Sequence, residues 1–142
     1  MYVLGLILFI IHIAAFIAGG ANSVIMPVLG PRLATATPEV RGQLMGIVEG
    51  VAKVGKYAMV TLLISGVLVL WLKWDWVAPS PVWFWIKMAF VAVMIVFIAL
   101  NEVNARKAKQ GDQAAAGRSK MFGQLTGLAF LGVIVSAVFA FN

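Results

Sequence analysis

Four long apolar runs divide this 142-residue chain, and its basic residues fall almost entirely between them. Arg32, Arg41, Lys53 and Lys56 lie between the first and second runs, and Arg106, Lys107, Lys109, Arg118 and Lys120 between the third and fourth. Lys73 alone occupies the middle connection, and Lys87 sits inside the third run. Connections rich in Lys and Arg stay on the cytoplasmic side of a membrane. The pattern predicts four transmembrane helices in a bacterial inner membrane, with both termini on the periplasmic side.

Composition agrees. The chain is 63% hydrophobic and 11% charged, whereas a soluble domain carries roughly 25% charged residues. A soluble fold of this size has no interior large enough for that much apolar surface. The 11 bases exceed the 5 acids, but they flank apolar runs and are not interleaved with stacking aromatics, so no nucleic-acid partner is expected. The absence of cysteine excludes disulfides, thiolate catalysis and iron–sulfur or zinc–thiolate sites. The N-terminus has no basic leader segment, and its apolar run outlasts the core of a cleavable signal, so the first span is expected in the mature protein.

The expected fold class is all-α: a polytopic membrane protein forming an antiparallel four-transmembrane-helix bundle in one domain, residues 1–142. Its spans are placed at about 2–26, 53–72, 82–101 and 121–141 from the apolar runs, each near the roughly 20 residues a bilayer requires. Pro27 and Pro31 are expected to end the first helix, and Gly30 to Glu39 to form a loop. Thr37-Pro38-Glu39 then offers an N-cap and an N1 proline for a second helix extended on the cytoplasmic side. Val40, Leu44, Ile47, Val48 and Val51 form a helical stripe along that extension. Uncharged residues between Tyr57 and Leu72 are too few to span, which puts Lys53 and Lys56 at the boundary with their stems snorkelling. Trp71, Trp74, Trp76, Trp83 and Trp85 surround the middle connection, as an aromatic belt on the non-cytoplasmic face would. The segment from Glu102 to Lys120 reads as a mobile basic connection. Small residues four apart (Ala15 and Gly19, Gly123 and Gly127, Gly132 and Ser136) allow close helix packing in lipid.

Chemistry in such a chain must come from polar residues within the runs. His12, the sole histidine, lies about 15 Å along the first helix, near mid-bilayer. It reads in three ways: as a neutral imidazole bonded across helices to Ser65, Thr61 or a backbone carbonyl; as a haem-iron ligand; or as a proton relay. Phe16, Gly19 and Ser23 follow it on one helical face, so a ring and then a small-residue groove adjoin the imidazole. That groove admits either a flat macrocycle or another helix. Lys87, about 9 Å inside the third helix, either snorkels to the tryptophan-rich face or pairs with an anion. Asn101, Glu102, Asn104 and Arg106 read as a solvated helix terminus. The methionines are scattered without the clustering a copper path needs. No nucleophile triad, phosphate-binding glycine loop or carboxylate pair is present.

Several of these positions together resemble a known group. His12 followed by Gly19 and Gly20, Pro31-Arg32 after the first run, Ser65-Gly66-Val67 in the second, and Trp85-Ile86-Lys87 opening the third are similar to the small membrane proteins that include copper-resistance protein D and the HemJ-type protoporphyrinogen oxidases. The similarity is diffuse and touches about the first 100 residues. It departs at Leu100-Asn101, where HemJ-type proteins are expected to carry Tyr-His, and at Val28-Leu29-Gly30 ahead of Pro31-Arg32. The resemblance implies haem b as cofactor, His12 as axial iron ligand with Phe16 and Gly19 beside it, and Lys87 as an anion partner. If the chain is an enzyme, it implies a haem-dependent oxidoreductase in porphyrin or redox metabolism. The sequence also accommodates a non-enzymatic accessory subunit of a larger membrane complex, a homodimer, or a small transporter, with the lipid bilayer as partner in each case.

Overall fold

A computed structural model describes residues 2–142. Four helices account for nearly all of them: α1 (Tyr2–Thr35), α2 (Pro38–Trp74), α3 (Pro81–Lys109) and α4 (Gln113–Phe141). Each is long and apolar enough to cross a membrane. The described residues contain no strand.

Helix ends differ from the sequence expectation in two places. Pro27 and Pro31 do not end α1, which continues through both to Thr35. A proline holds φ near its helical value and removes one hydrogen bond to the carbonyl four residues earlier. The two bonds lost here, to Ser23 and to Pro27 itself, fall on one side of the helix and leave its other faces hydrogen-bonded. Beyond them the Thr35 hydroxyl donates to Pro31 O at 3.3 Å, and Arg41 Nε donates to Leu33 O at 3.2 Å, so late carbonyls of α1 find partners. Thr37 takes the N-cap position of α2 in extended conformation with Pro38 following, although its side chain makes no capping bond.

The second correction concerns residues 102–120. They do not form a loop: α3 runs to Lys109 and α4 starts at Gln113. Ala, Gln, Lys and Arg, which fill this segment, are all strong helix formers. The turn between the helices is built from two adjacent residues. Gly111 takes φ +98°, and the amides of Gly111 and Asp112 donate to Ala108 O at 3.1 Å and Lys107 O at 3.2 Å. This is the paired-bond arrangement in which a glycine closes a helix. Asp112 at once starts the next one, accepting the Ala115 amide at 3.0 Å.

The chain divides into two compact units, one ending at Trp76 and containing α1 and α2, the other starting at Val77 and containing α3 and α4. Within the first, the contacts run in opposite chain directions. The Lys73 ammonium lies over the Phe9 ring, His12 meets Ser65, Gly19 faces Ala58, and Asn22 faces Gly55. The second unit follows the same rule: Trp83 stacks on Phe139 at 4.7 Å, Phe90 lies against Gly132, Phe97 meets Phe122, and Asn104 meets Arg118. The buried residues along these seams are mostly small, including Ala15, Ala58 and Ser65 in one unit and Ala129, Ser136 and Ala140 in the other. Large apolar side chains such as Ile10, Ile17, Ile64 and Leu128 are exposed. That arrangement suits helices whose surroundings are as apolar as leucine and whose association depends on close backbone approach.

Candidate functional site

His12 projects from α1 onto the α2 seam at a place where α2 offers one hydrogen-bonding residue and one without a side chain. Its Nδ1 lies 2.9 Å from Ser65 Oγ. The Ser65 hydroxyl has a single proton, and it is donated back along α2 to Thr61 O at 2.6 Å. With that proton on Thr61 O, Ser65 Oγ accepts from the imidazole, an arrangement that favours the neutral His12 tautomer protonated at Nδ1. The lone pair is then on Nε2. Ser65 is only 3% exposed, which shields the bond from competing water.

Gly66 makes this approach possible. A Cβ at position 66 would stand 3.2 Å from His12 Cε1 and 3.7 Å from Nδ1, so any larger residue would press on the ring. Ser65-Gly66 thus works as a pair, the serine orienting the imidazole and the glycine leaving room for it. One turn along α1, Phe16 is half-buried. Gly19 follows, where an added Cβ would meet Ala58 Cβ at 3.6 Å, so at this position the small residue serves contact between helices. Asn22 lies so close to Gly55 that a Cβ there would overlap its amide. Beside the seam is an open apolar groove of about 410 Å³, lined by Ala14, Ala18, Val54, Tyr57 and Thr61 among others.

Lys87 belongs to the other unit. Its ammonium lies 5.0 Å from the centre of the Phe141 ring, near the end of α4 that the Ser80 amide also meets through Ala140 O. The side chain thus reaches back toward the start of α3, the direction a snorkelling lysine takes, and finds a cation–π partner there. Lys73 does the equivalent in the first unit, 4.5 Å from the centre of Phe9.

Asn104 is not part of a solvated terminus. It is 7% exposed, donates to Leu100 O at 2.8 Å and accepts from Arg118 Nε at 2.9 Å. Asn101 accepts from Ser119 Oγ at 2.5 Å. Sequence reading missed both pairings, because they depend on α3 and α4 staying helical to the tip. Among the described residues, no group of three His, Asp or Glu side chains could hold a metal ion. The polar groups described around His12 include the Ser65 hydroxyl and, through it, the Thr61 carbonyl. Comparison with protein families, characterised proteins and solved structures finds no match to this chain.

Proposed function

We propose that this chain is a small multi-pass protein of the bacterial inner membrane, an antiparallel four-helix bundle with both termini periplasmic, that holds haem b through His12 in porphyrin or redox metabolism. The membrane reading is supported by four apolar helices and by the nine bases, Arg32, Arg41, Lys53, Lys56, Arg106, Lys107, Lys109, Arg118 and Lys120, gathered in two connections. The haem reading is carried by one observation, the His12–Ser65–Thr61 relay of hydrogen bonds. A ligating histidine characteristically donates its other ring N–H to a fixed acceptor, which sets the tautomer and raises the basicity of the ligating nitrogen. Ser65 supplies that acceptor, and Gly66 the clearance. His12 would hold the iron through its imidazole, with Ser65 fixing the ring. Bound haem supplies one-electron chemistry at iron; the chain's part is to orient one imidazole and surround it with apolar side chains.

The test is an absorption spectrum of full-length protein purified in detergent and titrated with haemin. A saturable, sharp visible band in the wild type that is lost in His12→Ala is expected. A wild type that leaves the haemin spectrum as His12→Ala does refutes the ligand. For topology, the chain's lack of cysteine allows a single reporter. Gly117→Cys, where an added Cβ meets nothing within 4 Å, should label from the cytoplasmic side; periplasmic labelling refutes the orientation.

A colourless accessory subunit is the second reading. It is favoured by how fully Ser65 engages His12, since a polar bond between helices also serves purely to join them in lipid. The same spectrum separates the two.

A further inference from the structure

The tip of the α3–α4 pair carries more positive charge than its own carboxylates balance. Arg106, Lys107 and Lys109 lie in the last turn of α3, and Arg118 and Lys120 in the first two turns of α4. Over residues 102–120 these five cations face two carboxylates, Glu102 and Asp112. Glu102 is engaged by Arg106 at 2.7 Å. Asp112 spends one oxygen on the Ala115 amide and holds the other 3.8 Å from Arg118 Nη2.

The second observation is that one of these cations is fixed in place. The buried Asn104 side chain accepts from Arg118 Nε at 2.9 Å, and its own amide is tied to Leu100 O. On the next rung Ser119 is bonded to Asn101. A buried amide therefore aims a guanidinium along the seam where an apolar helix pair meets its charged tip. A guanidinium presents its donors as a rigid fork that matches phosphate oxygens, unlike the point charge of lysine. Immediately below, Val96, Leu100, Val103 and Met121 are exposed apolar side chains. Phosphate chemistry at the tip and hydrocarbon chemistry beneath it belong to one molecule.

We infer that this tip binds the headgroup of an anionic phospholipid, with Arg118 as the oriented cation and Asn104 as the residue that positions it. The site rests on the membrane reading above and is independent of the haem ligand.

The experiment is native mass spectrometry of the full-length chain in detergent, titrated with dioleoylphosphatidylglycerol or with dioleoylphosphatidylcholine. One basic side chain near an anionic lipid surface contributes about fivefold in binding. Phosphatidylglycerol should be retained at least about fivefold better than phosphatidylcholine, and Arg118→Gln should lower that preference by about fivefold. Arg118→Lys, which keeps the charge and loses the fork, and Asn104→Leu, which keeps the charge and loses the aim, should each lower it by about twofold or more, on the same scale. Circular dichroism of each variant should match wild type. Equal retention of the two lipids by wild-type protein overturns the proposal. So does an equal loss from Lys53→Gln, which would make the preference one of total charge, or full displacement of the lipid by millimolar inorganic phosphate, which would make the site one for free anions. A chain that stays soluble without detergent would instead sink the membrane reading itself.

Discussion

Replacing Ser65 with alanine removes the acceptor that faces the His12 Nδ1–H at 2.9 Å and changes little else in α2. The Ser65 hydroxyl also donates to Thr61 O, but that bond lies within one helix and is lost whether or not position 12 holds histidine. A double-mutant cycle of Ser65→Ala and His12→Phe cancels it, along with every other contact of either side chain, and isolates the bond between helices. In soluble cores such a bond contributes about 1 kcal/mol. Cycles between membrane helices average about 0.6 kcal/mol and reach about 1.7. A 2.9 Å contact on a serine that is 3% exposed belongs in the upper half of that range, so the expected coupling is about 1 to 1.5 kcal/mol. The assay is reversible unfolding in mixed micelles with a rising fraction of dodecyl sulfate. Tryptophan fluorescence reports it, since Trp71, Trp74 and Trp76 lie at the end of the α1–α2 unit. Independent sites add to within about 0.3 kcal/mol; a coupling no larger than that means the imidazole and hydroxyl do not interact, and the tautomer argument falls with them.

Two further outcomes follow from the helix seams and the tip. At Gly132 an added Cβ would stand 2.6 Å from two carbons of the Phe90 ring, so Gly132→Ala should destabilise the α3–α4 pair by about 1 to 3 kcal/mol as an overpacked contact. Gly46→Ala, where nothing lies within 4 Å, should be neutral or stabilising; equal midpoints for the two variants would refute the packing argument. Asp112→Ala removes the cap on Ala115, worth about 1 kcal/mol. Amide exchange over residues 113–116 should accelerate by about fivefold on that figure, and unchanged exchange would show that α4 does not depend on its cap.

The number and approximate centres of the helices could be read from the sequence because four apolar runs are separated by segments that gather its charges and prolines. Their ends could not be read the same way. Pro27 and Pro31 resemble stop signals when each is judged alone, yet their spacing of four places both defects on one side of α1. Residues 102–120 resemble a solvated connection by charge, yet their helix propensity is high and Gly111-Asp112 supplies both the stop and the next start. At the site, Ser65 was among the partners that sequence offered to His12, since it is one of few hydroxyls in the second run. The part played by Gly66 was hidden: a glycine's contribution here is an absence of atoms, visible only once a ring lies beside it. Asn104 was misjudged for a related reason, because burial of a polar side chain depends on which residue of the partner helix comes level with it.

The α1–α2 seam holds three polar or small pairings, His12 with Ser65-Gly66, Gly19 with Ala58, and Asn22 with Gly55, in one common register. An insertion of a single residue in α1 ahead of His12 would leave them all intact, whereas one placed between His12 and Gly19 would turn everything on one side of it by about 100°. Only a local change of helical pitch, such as a one-turn π-bulge, would restore alignment at both ends. A change of length between Phe9 and Asn22, or between Gly55 and Lys73, therefore puts one end of the seam out of step with the other, whereas a substitution disturbs only its own pairing.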